Sequence, residues 1–213
     1  MILSGKAMQR YEYLKAIAQD TEDGLVVVTG TALREWQTLR PGDGNFRTRT
    51  LGLASSIGLG IALGLPHRKV IVIDGDGAFL MNLCGLPTIA WHSPHNLIHI
   101  LFDNECYEAS GGTETATSAV ADPVALAKGA GYKNALWVKS PNDLRREFLR
   151  AWKKNELCLL AVKVKPGGPK LASNLYDEVE NKYRFIRYLE ETEKKGIIGS
   201  ADHVVKATKQ KKI

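Results

Sequence analysis

Residues Val70 to Asn104 read VIVIDGDGAFLMNLCGLPTIAWHSPHNLIHILFDN. The stretch opens on four β-branched residues, Val70 to Ile73, too short and too apolar for anything but a buried strand. Asp74-Gly75-Asp76-Gly77 follows, a glycine-bracketed carboxylate where the strand hands over to a helix beginning near Ala78. A second apolar run, Leu97 to Phe102, ends in Asp103-Asn104. In a doubly wound sheet, ligands bind beyond the carboxyl ends of the strands. Neighbouring strands therefore deliver Asp76 and Asn104 to one edge.

These residue types point to a particular chemistry. Glycines let the backbone approach a phosphate, and a helix start offers it unpaired N–H groups. A carboxylate in that position would repel the phosphate unless a divalent cation lay between them. Carboxylate, carboxamide and backbone carbonyl oxygens suit Mg²⁺, whose octahedral shell phosphate oxygens complete. The edge reads as a site for a metal-bridged diphosphate. The competing reading, a tight strand-to-helix turn with a surface aspartate, predicts an exposed Asp76.

Working outward, residues from about Met8 to Gln19 have helical spacing, with Tyr11, Leu14, Ile17 and Ala18 on one face. Leu25 to Thr29 is the first strand and ends at Gly30-Thr31, a loop on the cofactor edge. Arg34-Glu35-Trp36 reads as a solvated short helix with Trp36 packed inward. Pro41 to Asn45 holds a second GDG, but its flanks are polar, so Asp43 is a turn residue and not a metal ligand. In Phe46 to Leu65 the small residues Gly52, Ala54, Ser55, Ser56, Gly58 and Gly60 permit a helix to pack closely on a neighbour.

Phe79 to Trp91 is expected as one helix despite Gly85 and Pro87. His92 and His95 read as surface residues, and His99 as a core or partner-facing histidine. The segment after Asn104 lacks apolar periodicity and carries Gly111-Gly112, a loop able to close over a ligand. Asp122-Pro123 and Ser140-Pro141 are capped helix starts. Leu136 to Val138 and Leu157 to Val164 are the remaining strands. Five strands alternating with helices predict an α/β fold, a doubly wound parallel sheet covered on both faces. Residues 1–190 form the expected single domain, including a last helix with Phe185, Ile186 and Leu189 as its apolar contacts. Residues 191–213 are a basic tail.

The 213 residues suffice for one sizeable domain, and 44% hydrophobic with 24% charged residues is ordinary for a globular chain. Of the net charge of +6, the tail supplies half, through six lysines against Glu191, Glu193 and Asp202. No aromatic or arginine pattern accompanies it, so nucleic-acid binding is not expected. Cys84, Cys106 and Cys158 form no CxxC, which excludes a disulfide framework or a cysteine metal cluster, and Cys84 and Cys158 read as core. No segment resembles a secretory signal, and Leu51 to Leu65 is too short and glycine-rich to cross a bilayer, so no membrane association and a cytoplasmic location are expected.

Gly75-Asp76-Gly77 followed by Asn104, 28 residues after Asp76, resembles the cofactor signature of thiamine diphosphate enzymes. The resemblance implies that Asp76, Asn104 and the Cys106 carbonyl hold Mg²⁺, and that Gly75, Gly77 and Ala78 give N–H groups to the diphosphate. Thr29, Gly30, Leu51 and Gly52 complete the implied cofactor site, with Leu51 as the bulky residue that props the cofactor in its bent form. Tyr107, Glu108 and Ser110 are the expected lid. Asp103 stands where many members have another asparagine, and Arg49 where a glycine is common. Whether Arg49, Glu108 and Glu114 line the site is left open.

TGTALREW, LGLASSIGLGIAL, IDGDGAFLMNL, TIAWHSPHNLIHILFDNECYEASGGT and ENKYRFIRYL together resemble sulfopyruvate decarboxylase β subunits and phosphonopyruvate decarboxylases. Here Glu108 replaces a usual glycine, Thr113-Glu114 a glutamine-proline, and Leu33 a small hydroxyl residue. An extra carboxylate beside a dianionic substrate is unfavourable. The resemblance covers only a diphosphate-type domain. It implies a partner subunit with a pyrimidine-type domain, in an α2β2 or larger hetero-oligomer, whose glutamate activates the cofactor for decarboxylation of a small 2-oxo acid. The alternatives are a carboligase of the acetolactate synthase type and a non-catalytic cofactor-binding subunit.

Overall fold

The computed structural model describes residues 8–21, 23–171 and 177–196. In chain order the elements are α1 (Arg10–Ile17), β1 (Leu25–Thr29), α2 (Ala32–Leu39), β2 (Asn45–Thr48), α3 (Ala54–Gly64), β3 (Val70–Gly75), α4 (Asp76–Leu80) and α5 (Gly85–His92). They continue as β4 (Leu97–Asp103), α6 (Pro123–Gly129), β5 (Ala135–Val138), α7 (Pro141–Lys154), β6 (Cys158–Lys163) and α8 (Glu178–Glu193). Every pairing is parallel and the strands lie in the order β2-β1-β3-β4-β6-β5.

Both faces of the sheet are covered, as the unbroken apolar strands require. On one face Leu14 and Ile17 of α1, Trp36 of α2 and Phe148 of α7 pack on Val26, Val28, Ile71, Ile73 and Ile100. On the other, Ala54 and Ala62 of α3, Phe79, Ile89 of α5 and Ala127 of α6 pack on Val27, Val72, Leu101 and Leu159. The strand order dictates this division. Right-handed crossovers put a helix on one face when the chain moves one way along the sheet, and on the opposite face when it returns. The connections from β1 to β2 and from β3 to β4 run in opposite directions, so α2 and α4 leave on opposite faces. A crevice opens between the ends of β1 and β3, the switch point of the sheet.

Two expectations of element count need correction. The sheet has six strands, because Asn45–Thr48 pairs with β1 from Val26↔Asn45 to Thr29↔Thr48. Its polar sequence hides an edge strand bonded to Asn181 of α8 and Trp36 of α2. Asn181 Oδ1 accepts from Arg47 N at 2.7 Å, Asn181 Nδ2 donates to Asn45 O at 3.0 Å, and Trp36 Nε1 donates to Asn45 Oδ1 at 3.0 Å. Covering the edge with a helix also removes it as a pairing template. The single helix expected over Phe79 to Trp91 is two, separated by the turn at residues 81–84. Asn82 holds that turn against α3, donating from Nδ2 to Gly52 O at 2.7 Å and Ser56 Oγ at 2.9 Å. Cys84, expected in the core, is exposed in this turn, whereas Cys158 is buried.

The caps behave as expected. Asp122 accepts from Val124 N and Ala125 N, and Ser140 accepts from Asp143 N. His99 is a core residue, 1% exposed, while His92 and His95 are exposed. The last helix extends to Glu193 and buries Phe185 and Leu189; the tail from residue 197 lies outside the described residues. Among the described residues no helix is long and apolar enough to cross a membrane.

Candidate functional site

At the crevice, β1 ends in Thr29 and then Gly30, whose φ of +67° turns the chain away toward α2. β3 ends in Gly75, and Asp76 begins α4. The adjoining β4 delivers Asp103 and Asn104 to the same edge. A narrow cavity of about 50 Å³ lies between these ends. Thr29, Gly30, Leu51, Gly75, Asp76, Gly77, Ala78, Asn104, Cys106, Tyr107, Glu108 and Ser110 all line it. Residues chosen for a cofactor site from sequence thus converge on one place.

Gly52 is the exception. It does not line the cavity; its φ of +87° makes the turn that presents Leu51, and a Cβ there would lie 3.3 Å from Asn82 Cβ. Glu35, expected on a solvated helix, is 3% exposed and receives Arg10 through two bonds of 2.8 Å. Arg49 is exposed and lines a wider neighbouring groove of about 790 Å³ rather than the cavity itself. Glu114 lines neither space, and Glu108 lines both. Asp43 stays in its turn at the opposite end of the sheet, 3.9 Å from Arg184.

Asp76 is not the surface aspartate of a simple turn, being 1% exposed. Its Oδ2 accepts from Thr115 Oγ1 at 2.5 Å and from Thr117 Oγ1 at 3.1 Å. Burial first, and then the charge of Asp103, push its carboxyl above the usual range against the threonine donors and the Asn104 main chain. Such a carboxylate favours a neighbouring cation. Asp103 takes Thr117 Oγ1 at 2.7 Å on Oδ1 and pairs with Lys163 Nζ at 2.8 Å on Oδ2. The charge of Asp103 is therefore compensated within the fold.

Over the cavity, residues 105–115 form a short folded-back loop. Tyr107 N donates to Thr113 O at 2.8 Å, and Thr115 N to Glu105 O at 3.0 Å. Glu108 is its most connected side chain, accepting from Thr31, Asn104, Arg10 and the Gly167 main chain. Burial pushes its carboxyl up, but the Arg10 charge and the Thr31 and Gly167 donors prevail and hold it below the usual range.

The residues fit a metal-bridged diphosphate. The Thr29 hydroxyl is buried at the strand end with no hydrogen-bond partner among the described residues. Open space surrounds the position a Cβ would take at Gly30. Asp76, Asn104 and Cys106 all line the cavity, and carboxylate, carboxamide and carbonyl oxygens are the donor types Mg²⁺ takes. Sequence reasoning missed Arg10, Thr115 and Thr117. Arg10 gave no local signal because its partners lie 25 and 98 residues away. The alternating threonines of the loop were visible, but their target was not.

Residues 32–162 match the family described as thiamine pyrophosphate enzyme, C-terminal TPP binding domain. The chain is 37% identical over 182 residues to the sulfopyruvate decarboxylase subunit beta of Methanothermobacter thermautotrophicus, covering 84% of this chain and 95% of that protein. It is 38% identical over 144 residues to the phosphonopyruvate decarboxylase of Streptomyces hygroscopicus, covering 67% of this chain but only 35% of the relative. The chain thus spans about a third of the length of the phosphonopyruvate decarboxylases it matches. The structure of benzoylformate decarboxylase from Polynucleobacter necessarius aligns with a TM-score of 0.67 at 20% identity, over 80% of this chain and 36% of that one. At that identity the likeness shows the fold alone.

Proposed function

The chain belongs to the thiamine pyrophosphate enzymes, whose C-terminal cofactor-binding domain it carries, and from that premise we propose that it is the diphosphate- and Mg²⁺-holding subunit of a thiamine diphosphate-dependent 2-oxo acid decarboxylase. Its substrate is a small 2-oxo acid of the sulfopyruvate or phosphonopyruvate kind, the compounds in the names of its relatives. Activity requires a second subunit contributing a pyrimidine-type domain, in an α2β2 or larger assembly. The observation that carries this reading is the convergence of buried Asp76, Asn104 and the unpartnered Thr29 hydroxyl on the switch-point crevice.

In this reading the side chains of Asp76 and Asn104 and the carbonyl of Cys106 hold Mg²⁺. Gly77 and Ala78 offer main-chain N–H groups to the diphosphate, while Thr29 with Gly30 bounds the group from β1. Gly75, expected to do the same as Gly77, instead donates its N–H to Asp74 Oδ1 at 2.9 Å and serves by close backbone approach. Leu51, presented by the Gly52 turn, forms the apolar wall. Tyr107, Glu108 and Ser110 cover the entrance and exclude water. When bound, thiamine diphosphate supplies the carbon that adds to the 2-oxo group and the electron sink that lets carbon dioxide leave. The contribution of this chain is to bind and orient, with Thr115 and Thr117 fixing the Asp76 carboxylate.

Mixing the chain with a pyrimidine-domain subunit, thiamine diphosphate, Mg²⁺ and sulfopyruvate or phosphonopyruvate tests the proposal. Carbon dioxide release that needs both chains supports it. Cofactor binding without turnover on either acid would contradict it.

A further inference from the structure

Glu108 stands at the divide between the narrow cavity and the wider groove, both of which it lines together with Arg10 and Thr31. Its oxygens draw donors from four separate parts of the chain. Oε2 accepts from Arg10 Nη1 at 3.3 Å, Thr31 Oγ1 at 3.0 Å and Asn104 Nδ2 at 2.9 Å, and Oε1 accepts from Gly167 N at 2.6 Å. A guanidinium, a hydroxyl, a carboxamide and a main-chain N–H are the donors that would bind an oxyanion from solution. The protein fills that role with a carboxylate of its own.

The surroundings are built for this arrangement. Arg10 is fixed independently by its two bonds to Glu35, so it does not need Glu108 to stay in place. Residue 168 approaches too closely for a side chain, whereas residue 167 has open space around it but a left-handed backbone. Gly167 has φ of +84°, and a Cβ at Gly168 would lie 2.3 Å from Glu35 Oε1. Glu108 begins a short 3-10 turn, Glu108–Ser110, followed by Gly111 and Gly112 at φ of +105° and +75° with open space around them. Two such glycines can absorb a change of backbone direction.

We propose that Glu108 is an internal anion latch, occupying the donors of the crevice until a metal-bound diphosphate displaces it. This inference rests on the cofactor reading given above, and deepens it. With Glu108 in place the cavity holds about 50 Å³, far below the ~300 Å³ at the lower end of ligand sites. Asn104 is also engaged: Nδ2 donates to Glu108, and Oδ1 accepts from Cys106 N at 3.2 Å. Releasing Glu108 enlarges the space, frees Asn104 to turn its oxygen to a cation, and leaves Arg10 and Thr31 for the incoming anion. A ligand competing with an internal occupant binds more weakly by the fraction of molecules in which the site is open.

Magnesium pyrophosphate is the probe, titrated by calorimetry into the full chain, Glu108→Gln and Asp76→Ala. In parallel, amide exchange at Gly167, which loses its acceptor when the latch opens, is followed in the unaltered chain. The expected results are binding roughly tenfold tighter in Glu108→Gln and Gly167 exchange accelerated by saturating ligand. Equal or weaker binding by Glu108→Gln, with Gly167 exchange unchanged or slowed, would overturn the latch. If the unaltered chain then still binds and Asp76→Ala does not, the cofactor reading stands without it. Tightening in Glu108→Gln with undiminished binding in Asp76→Ala would support the latch and remove the metal from the reading. No binding in any of the three would overturn both. The exchange measurement does not depend on whether the variants fold.

Discussion

The Tyr107 ring lies against Gly77 so closely that a Cβ at position 77 would come 2.6 Å from Tyr107 Cδ1 and 2.7 Å from Cε1. The glycine after Asp76 therefore serves the loop above it as well as any ligand beside it. Gly77→Ala must displace the ring or the start of α4. We expect a stability loss of about 1–3 kcal/mol, typical of overpacking, together with weakened magnesium pyrophosphate binding. Chemical denaturation and calorimetry on the same sample measure both. A variant unchanged in both would show that the contact constrains nothing.

Cys84 and Cys158 offer a contrast between turn and core. Burial pushes the Cys158 thiol up to about 12; Arg150 opposes the shift, and Glu156 and Glu147 add to it. A folded value above the unfolded one, near ~8.5, means that the thiol's contribution to stability is intact below that pH. It is lost as pH rises toward the folded value. Native alkylation at pH 8 should modify exposed Cys84 and spare Cys158 until the chain unfolds, as peptide mapping would show. The alkaline loss of melting temperature between pH 9 and 12 should be shallower in Cys158→Ala.

In α3 the glycines differ in kind. A Cβ at Gly58 would meet Val72 Cγ2 at 2.3 Å, whereas nothing lies within 4 Å of one at Gly60. Gly58→Ala should destabilise by about 1–3 kcal/mol, and Gly60→Ala should stabilise by roughly 0.5–1 kcal/mol through helix propensity. Thermal melts of the two variants give opposite signs if α3 is seated on β3 as described.

The two GDG sequences allow a direct comparison. Asp43 lies in an exposed turn with Arg184 3.9 Å away, so Asp43→Ala should change stability by less than ~0.5 kcal/mol and leave cofactor binding intact. Asp76→Ala should abolish metal-dependent binding of thiamine diphosphate by the assembled enzyme. Calorimetry finding both positions equally tolerant would contradict the assigned site.

The features legible in the sequence are those written locally. β1, β3 and β4 are runs of buried apolar residues, and the glycine-bracketed Asp76 follows one of them at a spacing that suits a second ligand at Asn104. Because parallel strands all end at one edge, such local signals were enough to bring Asp76 and Asn104 together, and the family resemblance supplied most of the other cavity-lining residues. What escaped depends on partners far along the chain. β2 looked unlike a strand because its Asn45 is satisfied by Trp36 and Asn181. Glu35 looked solvated because Arg10, which buries it, lies on another helix. Gly52, which the resemblance places in the cofactor site, shapes the turn that presents Leu51. The break between α4 and α5, and with it the exposure of Cys84, follows from Asn82 reaching across to Gly52 and Ser56.

The most direct test is crystallographic, on the chain grown with thiamine diphosphate and Mn²⁺ in place of Mg²⁺ and its partner subunit present. The account predicts an anomalous peak at ~2.1 Å from oxygens of Asp76, Asn104 and the Cys106 carbonyl, with the diphosphate beside Gly75 to Ala78. A cofactor bound with its metal anywhere else, or an empty crevice at saturating concentrations of both, would contradict it.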